Sequence, residues 1–229
     1  MSGTLYAIAT PLGGAAADAL PAPALATVRS LRYFVVENAK SARAFLKDAG
    51  GDPKLVQIQE LTEQSVAVDL LKPLTEGNSV GLLSEAGCPA IADPGAQLVE
   101  AAHAAGIRVV PMLGPSSIVL ALMASGLEGQ RFAFCGYLPR EAEDRKRRIR
   151  ELEARSRRER ETQIFIETPY RNDALMAALL ETLPEQARLC VATDLTLPGE
   201  TVRTLTVARW RKSPPRIGKR PTVFLFLFT

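Results

Sequence analysis

Two short apolar runs, each followed by a turn rich in glycine and proline, constrain the fold of this chain more than any other feature. Residues 80–83 lead into SEAGCPAIADPG, and residues 107–110 lead into PMLGPSS. Between them, apolar residues recur at helical spacing up to Gly106, which can end the helix. A strand, a helix and a second strand in this order form a βαβ unit with parallel strands and a right-handed crossover. Both turns then follow the carboxyl ends of parallel strands, where open sheets bind ligands, so the stretch predicts a small-molecule site.

Length and composition narrow the class of protein. The chain has 229 residues, 47% of them apolar and 23% charged, which is typical of a globular protein with one large or two small domains. Its three cysteines form no CxxC pair, and His103 is its single histidine. These counts argue against a disulfide framework and a metal centre and favour a reducing, cytoplasmic environment. The first residues lack the pattern of a signal peptide, and no apolar run approaches the ~18 residues of a membrane span, so we expect no membrane association.

Alternating strand and helix patterns predict an α/β fold with two domains. Residues 1–113 are expected to form an N-terminal α/β domain with a mostly parallel, doubly wound sheet, and residues 114–229 a C-terminal α/β domain with a mixed sheet. Asn38 is expected to cap a helix that runs to about Asp48. One helix is expected over 66–76, with 62–65 at its start, and another from Ser116 or Ser117 to Ala124. The predicted strands cover residues 5–9, 33–36, 55–58, 80–83, 107–110, 131–139 with a turn, 164–166, 189–192, 202–207 and 223–228.

The positive charges are concentrated in the second half of the chain. The formal net charge is +3, yet residues 140–160 hold ten basic and six acidic side chains, and seven basic residues but no acidic one follow Glu200. Such a distribution favours a polyanionic partner such as RNA. The alternative for 141–161 is a solvated helix with glutamate–arginine pairs and a narrow buried edge at Ile149 and Leu152. The candidate RNA contacts are Lys40, Arg43, Arg145 and Arg148.

Common catalytic and phosphate-binding motifs are missing from the sequence. It contains no GxxxxGK[ST] loop, no GxGxxG after a strand, no HExxH and no GxSxG. The turns that follow the predicted strands are instead rich in proline and small residues. A site assembled from several such loops suits a bulky, polar, folded ligand better than a metal ion.

Five motifs along the chain resemble one known family. ATPLGG, LLSEAGCPAIADPG, GIRVVPMLGPSS, FCGYLP and IETPYR have the order and spacing of the S-adenosylmethionine-dependent tetrapyrrole methylase superfamily. Within it, the chain is most similar to the branch that methylates ribose 2′-hydroxyl groups of small-subunit ribosomal RNA. The resemblance extends over residues 5–227. It implies a homodimer of two α/β domains, with the methyl donor S-adenosylmethionine bound in the cleft between the domains.

The resemblance also assigns residues to the donor site. Residues 85–87, with Pro89 and Ile91, are expected near the amino-acid end and ribose of the donor, and Glu167 and Thr168 near its adenine. Glycines and prolines suit such loops because they let backbone groups approach the adenosine. The full set of expected donor contacts is Pro11, Ser84, Glu85, Ala86, Gly87, Pro89, Ile91, Ser116, Ser117, Tyr137, Leu138, Glu167, Thr168, Pro221 and Thr222.

The chain departs from the branch at positions expected to serve the substrate. Glu-Asn-Ala-Lys at 37–40 replaces Glu-Asp-Thr-Arg, Leu-Thr-Glu-Gln-Ser at 61–65 replaces His-Glu-His-Asn-Glu, and Thr-Asp-Leu-Thr-Leu at 193–197 replaces Arg-Glu-Leu-Thr-Lys. These differences remove charged groups that could steer RNA or assist catalysis. The resemblance therefore supports the expected donor site better than it supports an RNA substrate.

Three functions remain open on the sequence. The first is methyl transfer to RNA, for which Glu37 or Asp93, with Glu85 as a third candidate, could accept the proton of a ribose hydroxyl. Alignment of the reacting atoms could also suffice, since orientation can supply ~7–11 kcal/mol. The second is methylation of a tetrapyrrole or another small metabolite. The third is an RNA-binding protein that keeps the fold without turnover.

Overall fold

The chain consists of two compact units. The computed structural model describes residues 2–62 and 67–228, and at positions 67 and 68 only the backbone. The first unit is Met1–Ser116 and the second is Ser117–Thr229. Each of them contains one five-stranded sheet.

The first unit is a parallel sheet with helices on both faces. Its strands lie in the order β3-β2-β4-β1-β5 and all pair in parallel. The strands are β1 (Thr4–Ile8), β2 (Tyr33–Val36), β3 (Gln57–Glu60), β4 (Val80–Leu83) and β5 (Arg108–Pro111). The helices are α1 (Ala16–Ala19), α2 (Ala22–Ser30), α3 (Ala39–Asp48), α4 (Ala67–Leu70), α5 (Lys72–Thr75) and α6 (Ala96–Ala104).

Buried side chains alternate between the two faces of this sheet. Phe34 packs in one apolar cluster with residues of α2 and α3, whereas its neighbour Val35 packs in the other with Leu98 of α6. Successive strand side chains point to opposite faces, so a strand that is apolar at every position is covered on both sides. The prediction of a doubly wound, mostly parallel sheet is confirmed.

The helices of the first unit follow from local signals, with one exception. The side chain of Asn38 accepts hydrogen bonds from the backbone N–H groups of Lys40 (2.9 Å) and Ser41 (3.1 Å), so α3 begins and ends as predicted. The prediction of one helix over 66–76 is wrong for its described part, which forms α4 and α5. Pro73 stands in the first turn of α5, where its missing N–H costs nothing. Residues 63–66, expected at the start of that helix, lie outside the described residues.

The second unit has the mixed sheet that the sequence predicts. Its strand order is β6-β7-β10-β8-β9; β6 and β7 are parallel, and the other neighbours are antiparallel. The strands are β6 (Phe132–Tyr137), β7 (Thr162–Ile166), β8 (Arg188–Thr193), β9 (Thr201–Thr206) and β10 (Thr222–Leu227). The helices are α7 (Ser117–Ser125), α8 (Ala142–Glu159), α9 (Asn172–Thr182) and α10 (Val207–Lys212).

The many basic residues of α8 lie mostly on its exposed surface. On α8 the buried residues Arg145, Ile149, Leu152 and Ser156 form one narrow edge, and exposed ion pairs cover the rest, as the alternative for 141–161 anticipates. The sequence did not predict α10. That helix is held by the buried Trp210, whose indole N–H donates to the carbonyl oxygen of Leu189 at 2.9 Å. Among the described residues, no helix is long and apolar enough to cross a membrane.

Candidate functional site

The carboxyl ends of β1, β2 and β4 lie side by side in the first unit. Ile8 and Val36 are both in register with Leu83, so the loops that follow these strands start at one edge of the sheet. The loop after β4 is paired with the loop after β1 by two backbone hydrogen bonds, Thr10 N to Gly87 O at 2.9 Å and Gly87 N to Thr10 O at 3.0 Å. The two loops therefore form one connected structure.

Side chains reinforce this connection. The Ser84 hydroxyl donates to Gly87 O at 3.0 Å, and the Thr10 hydroxyl donates to Ser84 O at 3.2 Å. Cys88 Sγ contacts the carbonyl oxygen of Pro115, in the turn after β5, at 3.5 Å. Thr10 and Cys88 were not identified as site residues from the sequence, because their partners are distant along the chain.

The loop after β4 has an unusual backbone. Gly87 has φ +83°, and even Ala90 and Ala92 have φ of 64° and 65°. A Cβ at Gly87 would stand 3.3 Å from Leu12 Cδ2 and 3.8 Å from Pro115 O. Left-handed conformations of residues other than glycine are strained and are concentrated at functional sites, where surrounding contacts hold them. This loop is therefore shaped for close approach of its backbone to a ligand.

Three carboxylates lie near the same edge. Glu37 Oε2 accepts the backbone N–H of Glu85 at 3.0 Å, and Glu85 Oε1 accepts the Ser41 hydroxyl at 3.3 Å. Partial burial, followed by the charges of Glu37 and Glu85, raises the pKa of Asp93 to about 6. Burial and then the Asp93 charge also raise the pKa of the Cys88 thiol. A carboxylate with a pKa near 6 is suited to accept a proton at neutral pH.

The structure brings together most of the first-unit residues that the resemblance assigned to the donor. Ser84, Gly87 and Pro89 are buried, and Pro11 is half-buried in the adjoining loop. The other assigned residues of the β4 loop, Glu85, Ala86 and Ile91, are exposed. Ser116 is the last residue of the first unit and Ser117 the first residue of α7, and both are half-buried.

A second group of assigned residues meets at one edge of the second sheet. Tyr137 is the last residue of β6 and Leu138 follows it, Glu167 and Thr168 follow β7, and Pro221 precedes Thr222, the first residue of β10. Ile166 is in register with Tyr137 on one side and with Val223 on the other, so the three pairs are neighbours.

Two buried polar atoms at this edge lack hydrogen-bond partners among the described residues. Glu167 is only 5% exposed; its Oε1 accepts from Thr168 N at 2.7 Å and from the Arg171 guanidinium, whereas its Oε2 has no hydrogen bond among the described residues. The neighbouring Asn172 donates to the carbonyl oxygens of Gly218 (3.1 Å) and Arg220 (2.7 Å), and its buried Oδ1 is also without a partner there. Buried acceptors are nearly always satisfied, so these two atoms are available to accept hydrogen bonds from a ligand with donor groups.

Comparison with known proteins identifies the family. The family model described as Tetrapyrrole (Corrin/Porphyrin) Methylases matches residues 4–210. The chain belongs to this family. Relatives named Ribosomal RNA small subunit methyltransferase I include that of Neisseria meningitidis serogroup B, 35% identical over 90% of this chain and 69% of the relative. The one of Pseudomonas aeruginosa is 33% identical over 90% of this chain and 71% of the relative.

Solved structures agree with the fold of this tetrapyrrole methylase. The methyltransferase CobJ has a TM-score of 0.66 at 19% identity, covering 99% of this chain and 94% of that one. The uroporphyrin-III-C-methyltransferase from Thermus thermophilus has a TM-score of 0.59 at 21% identity, covering 99% and 93%. The predictions of the family, of the fold class and of a methyltransferase are confirmed.

The four candidate RNA contacts of this tetrapyrrole methylase have different surroundings. Lys40 and Arg43 are exposed on α3. Arg145 is buried and donates to the carbonyl oxygens of Pro139 (3.5 Å) and Arg140 (2.9 Å), and Arg148 pairs with Glu151 at 3.0 Å. Their contact with RNA stays a prediction. Among the described residues there is no group of three or more metal-binding side chains.

Proposed function

We propose that this methyltransferase transfers a methyl group from S-adenosylmethionine to ribosomal RNA, at a ribose 2′-hydroxyl group. The observation that carries the proposal is the 35% identity, over 90% of the chain, to a relative named as a ribosomal RNA small subunit methyltransferase. The surplus of basic residues after Glu200 fits a polyanionic substrate.

The residues present fit the donor. The buried oxygens of Glu167 and Asn172 that have no partner in the described part of the chain can accept hydrogen bonds from amino or hydroxyl groups of an adenosine. The β4 loop, with Gly87 at positive φ, exposes its backbone without an intervening side chain. Bound S-adenosylmethionine supplies an electrophilic methyl carbon on its sulfonium sulfur. We propose that the donor-binding residues are those assigned by the resemblance, from Pro11 to Thr222.

Two carboxylates of the first unit are suited to different roles in methyl transfer. Asp93, whose pKa is raised to about 6, is ionised at neutral pH and is a competent acceptor for the proton of the ribose hydroxyl. Glu37 already accepts the Glu85 N–H and so positions the β4 loop. We therefore assign proton acceptance to Asp93 and loop positioning to Glu37.

A methyl-transfer assay tests the proposal. Small ribosomal subunits from a strain lacking the gene for this chain are incubated with the purified protein and tritiated S-adenosylmethionine. We expect label in the RNA, recovered as a 2′-O-methylated nucleoside, and little label in subunits from the parent strain, whose site is already methylated. Donor binding without RNA labelling would favour a metabolite acceptor or a protein that binds RNA without turnover. No binding at millimolar donor would contradict both enzymatic functions.

We further propose that the protein is a cytoplasmic homodimer. Ribosomal RNA as substrate supports the location. The helix α7 supports the dimer, since its sequence SIVLALMAS is apolar nearly all round and yet Val119 and Met123, four residues apart, are 49% and 75% exposed. An apolar helix face left in water is typical of an interface with another chain.

A further inference from the structure

The basic residues after Glu200 differ in how far they are engaged within the protein. Arg211 donates to the carbonyl oxygens of Leu180 (2.8 Å) and Leu183 (3.0 Å), and Arg203 lies over the ring of Trp210. Arg220 donates to Asp194 at 2.6 Å and to Gly199 O at 2.6 Å. These three side chains are used to hold the second unit together. Among the basic residues after Glu200, the exposed ones without an ion pair to any described acidic residue are Arg209, Lys212, Arg216 and Lys219.

One of these cations is paired with an exposed aromatic ring. Tyr170 is 79% exposed, the highest exposed fraction among the large apolar and aromatic side chains of the described residues. The Lys219 ammonium lies 4.8 Å from the centroid of the Tyr170 ring. A cation at this distance is attracted to the ring face, so the two side chains are held together at the surface.

The backbones on both sides of this pair are fixed. Tyr170 lies in the turn Pro169–Arg171, where the Arg171 side chain is bound by Glu167 and by the Thr168 hydroxyl at 3.1 Å. Lys219 stands between Gly218 and Arg220, whose carbonyl oxygens both accept from the Asn172 amide. Asp173 also accepts the Gly218 N–H at 3.2 Å. The two side chains therefore project from backbone segments that are held by hydrogen bonds, which reduces the entropy lost when they bind a partner.

From this arrangement we propose that Tyr170 and Lys219 form a binding surface for single-stranded RNA. The tyrosine ring stacks on an unpaired base, and Lys219, with Arg216 nearby in sequence, contacts the phosphates. An aromatic ring beside cations that have no described acidic partner is the chemistry of single-strand binding, because every base offers a π-face and every nucleotide a phosphate. An acidic protein segment would use the cations but would gain little from an exposed tyrosine. The inference rests on the proposed RNA substrate and names the residues that would hold it.

Binding of a fluorescein-labelled oligocytidylate to the full-length protein, followed by fluorescence anisotropy, tests the surface. Loss of one base stack is worth an affinity change of about tenfold or more, so we expect Tyr170→Ala to bind about tenfold more weakly and Tyr170→Phe about as well as the parent. The slope of log K against log salt is negative, and Lys219→Gln should reduce its magnitude by about 0.7, as one lost phosphate contact predicts for single strands. Lys54→Gln, which removes an exposed charge just before β3 in the first unit, should leave both affinity and slope unchanged.

Each outcome distinguishes a base-stacking surface from a different role of Tyr170. Unchanged RNA affinity in Tyr170→Ala, with an unchanged melting temperature, would overturn the proposal. An equal loss of S-adenosylmethionine affinity would place Tyr170 in the donor site instead. If Tyr170→Ala weakened binding to polyglutamate equally, the surface would bind polyanions in general and would make no specific contact with bases. If Tyr170→Ala weakens oligocytidylate binding while the parent protein methylates no ribosomal RNA, the surface stands and the proposed substrate fails.

Discussion

The carboxylate of Glu37, which follows β2, accepts a hydrogen bond from the backbone N–H of Glu85, which follows β4, with 3.0 Å between Oε2 and N. The two residues are 48 positions apart in the sequence. This contact ties the start of the β4 loop to the neighbouring strand end. A charged acceptor makes the bond stronger than one between neutral groups.

Removing this acceptor is expected to weaken donor binding. In Glu37→Ala the Glu85 N–H loses its partner, and we expect S-adenosylmethionine to bind about tenfold more weakly by calorimetry, because a hydrogen bond to a charged group is worth about 1.5–3 kcal/mol. Glu37→Gln keeps a carbonyl oxygen at this position and should bind nearly as the parent. Full binding but lost turnover in both variants would make Glu37 the proton acceptor and contradict its positioning role.

The raised pKa of Asp93 predicts a pH-dependent rate. Asp93 must be ionised to accept a proton, so methyl transfer should rise with pH, reach half of its maximum at about pH 6 and level off about one pH unit higher. Glu85→Gln removes one of the charges that raise this pKa and should move the rise to lower pH. Glu100→Gln, an exposed change on α6, should leave the profile in place. A profile that Glu85→Gln does not move would argue against Asp93 as the acceptor.

The raised pKa of Asp93 also predicts how the stability of the protein changes with pH. A carboxyl group whose pKa is higher in the folded than in the unfolded protein stabilises the fold at low pH, and this contribution disappears as pH rises from about 4 through about 6. Asp93→Asn should therefore be more stable than the parent at pH 7.5, by about 1 kcal/mol after allowance for the partial exposure of the group. Urea unfolding at pH 7.5 and at pH 4 measures the difference, which should vanish at the lower pH.

Valine substitutions at Gly87 and Gly106 form a matched pair that tests whether the donor lies against the backbone of the β4 loop. Both have positive φ, at 83° and 67°, so valine at either position should destabilise the protein by about 1–3 kcal/mol. A Cβ at Gly106 would meet nothing within 4 Å, and this glycine ends α6 away from the carboxyl edge of the sheet. We expect Gly87→Val alone to abolish donor binding, measured by calorimetry below the melting temperature. Equal donor affinity in the two variants would show that the β4 loop does not bind the donor.

The exposed face of α7 predicts the oligomeric state. Met123→Glu places a charge on that face and should convert a dimer to a monomer in sedimentation velocity experiments, because a buried unpaired charge is costly. Ala104→Glu, at the exposed end of α6, controls for the added charge and should leave the dimer intact. A parent protein that sediments as a monomer would contradict the proposed homodimer.

Local patterns in the sequence were sufficient for most of the fold. Strands β2 and β4 begin and end at the predicted residues, because apolar runs bounded by glycine or polar turns admit few alternatives. Prediction from the sequence failed where contacts between residues distant in the chain determine the local structure or the burial of a side chain. The helix α10 depends on Trp210 reaching the carbonyl oxygen of Leu189, and Arg145 is buried on α8 although its sequence surroundings are those of an exposed helix.

The sequence by itself determined the family, the fold class and the loops expected to bind the donor, because turn geometry is encoded by glycines and prolines close together in the chain. Only the tertiary structure decided the roles of the charged side chains. Arg220 and Lys219 are adjacent, yet one is bound to Asp194 and the other lies over Tyr170. Whether a charge is buried, paired or free depends on residues far away in the sequence, and the fold alone brings those residues together.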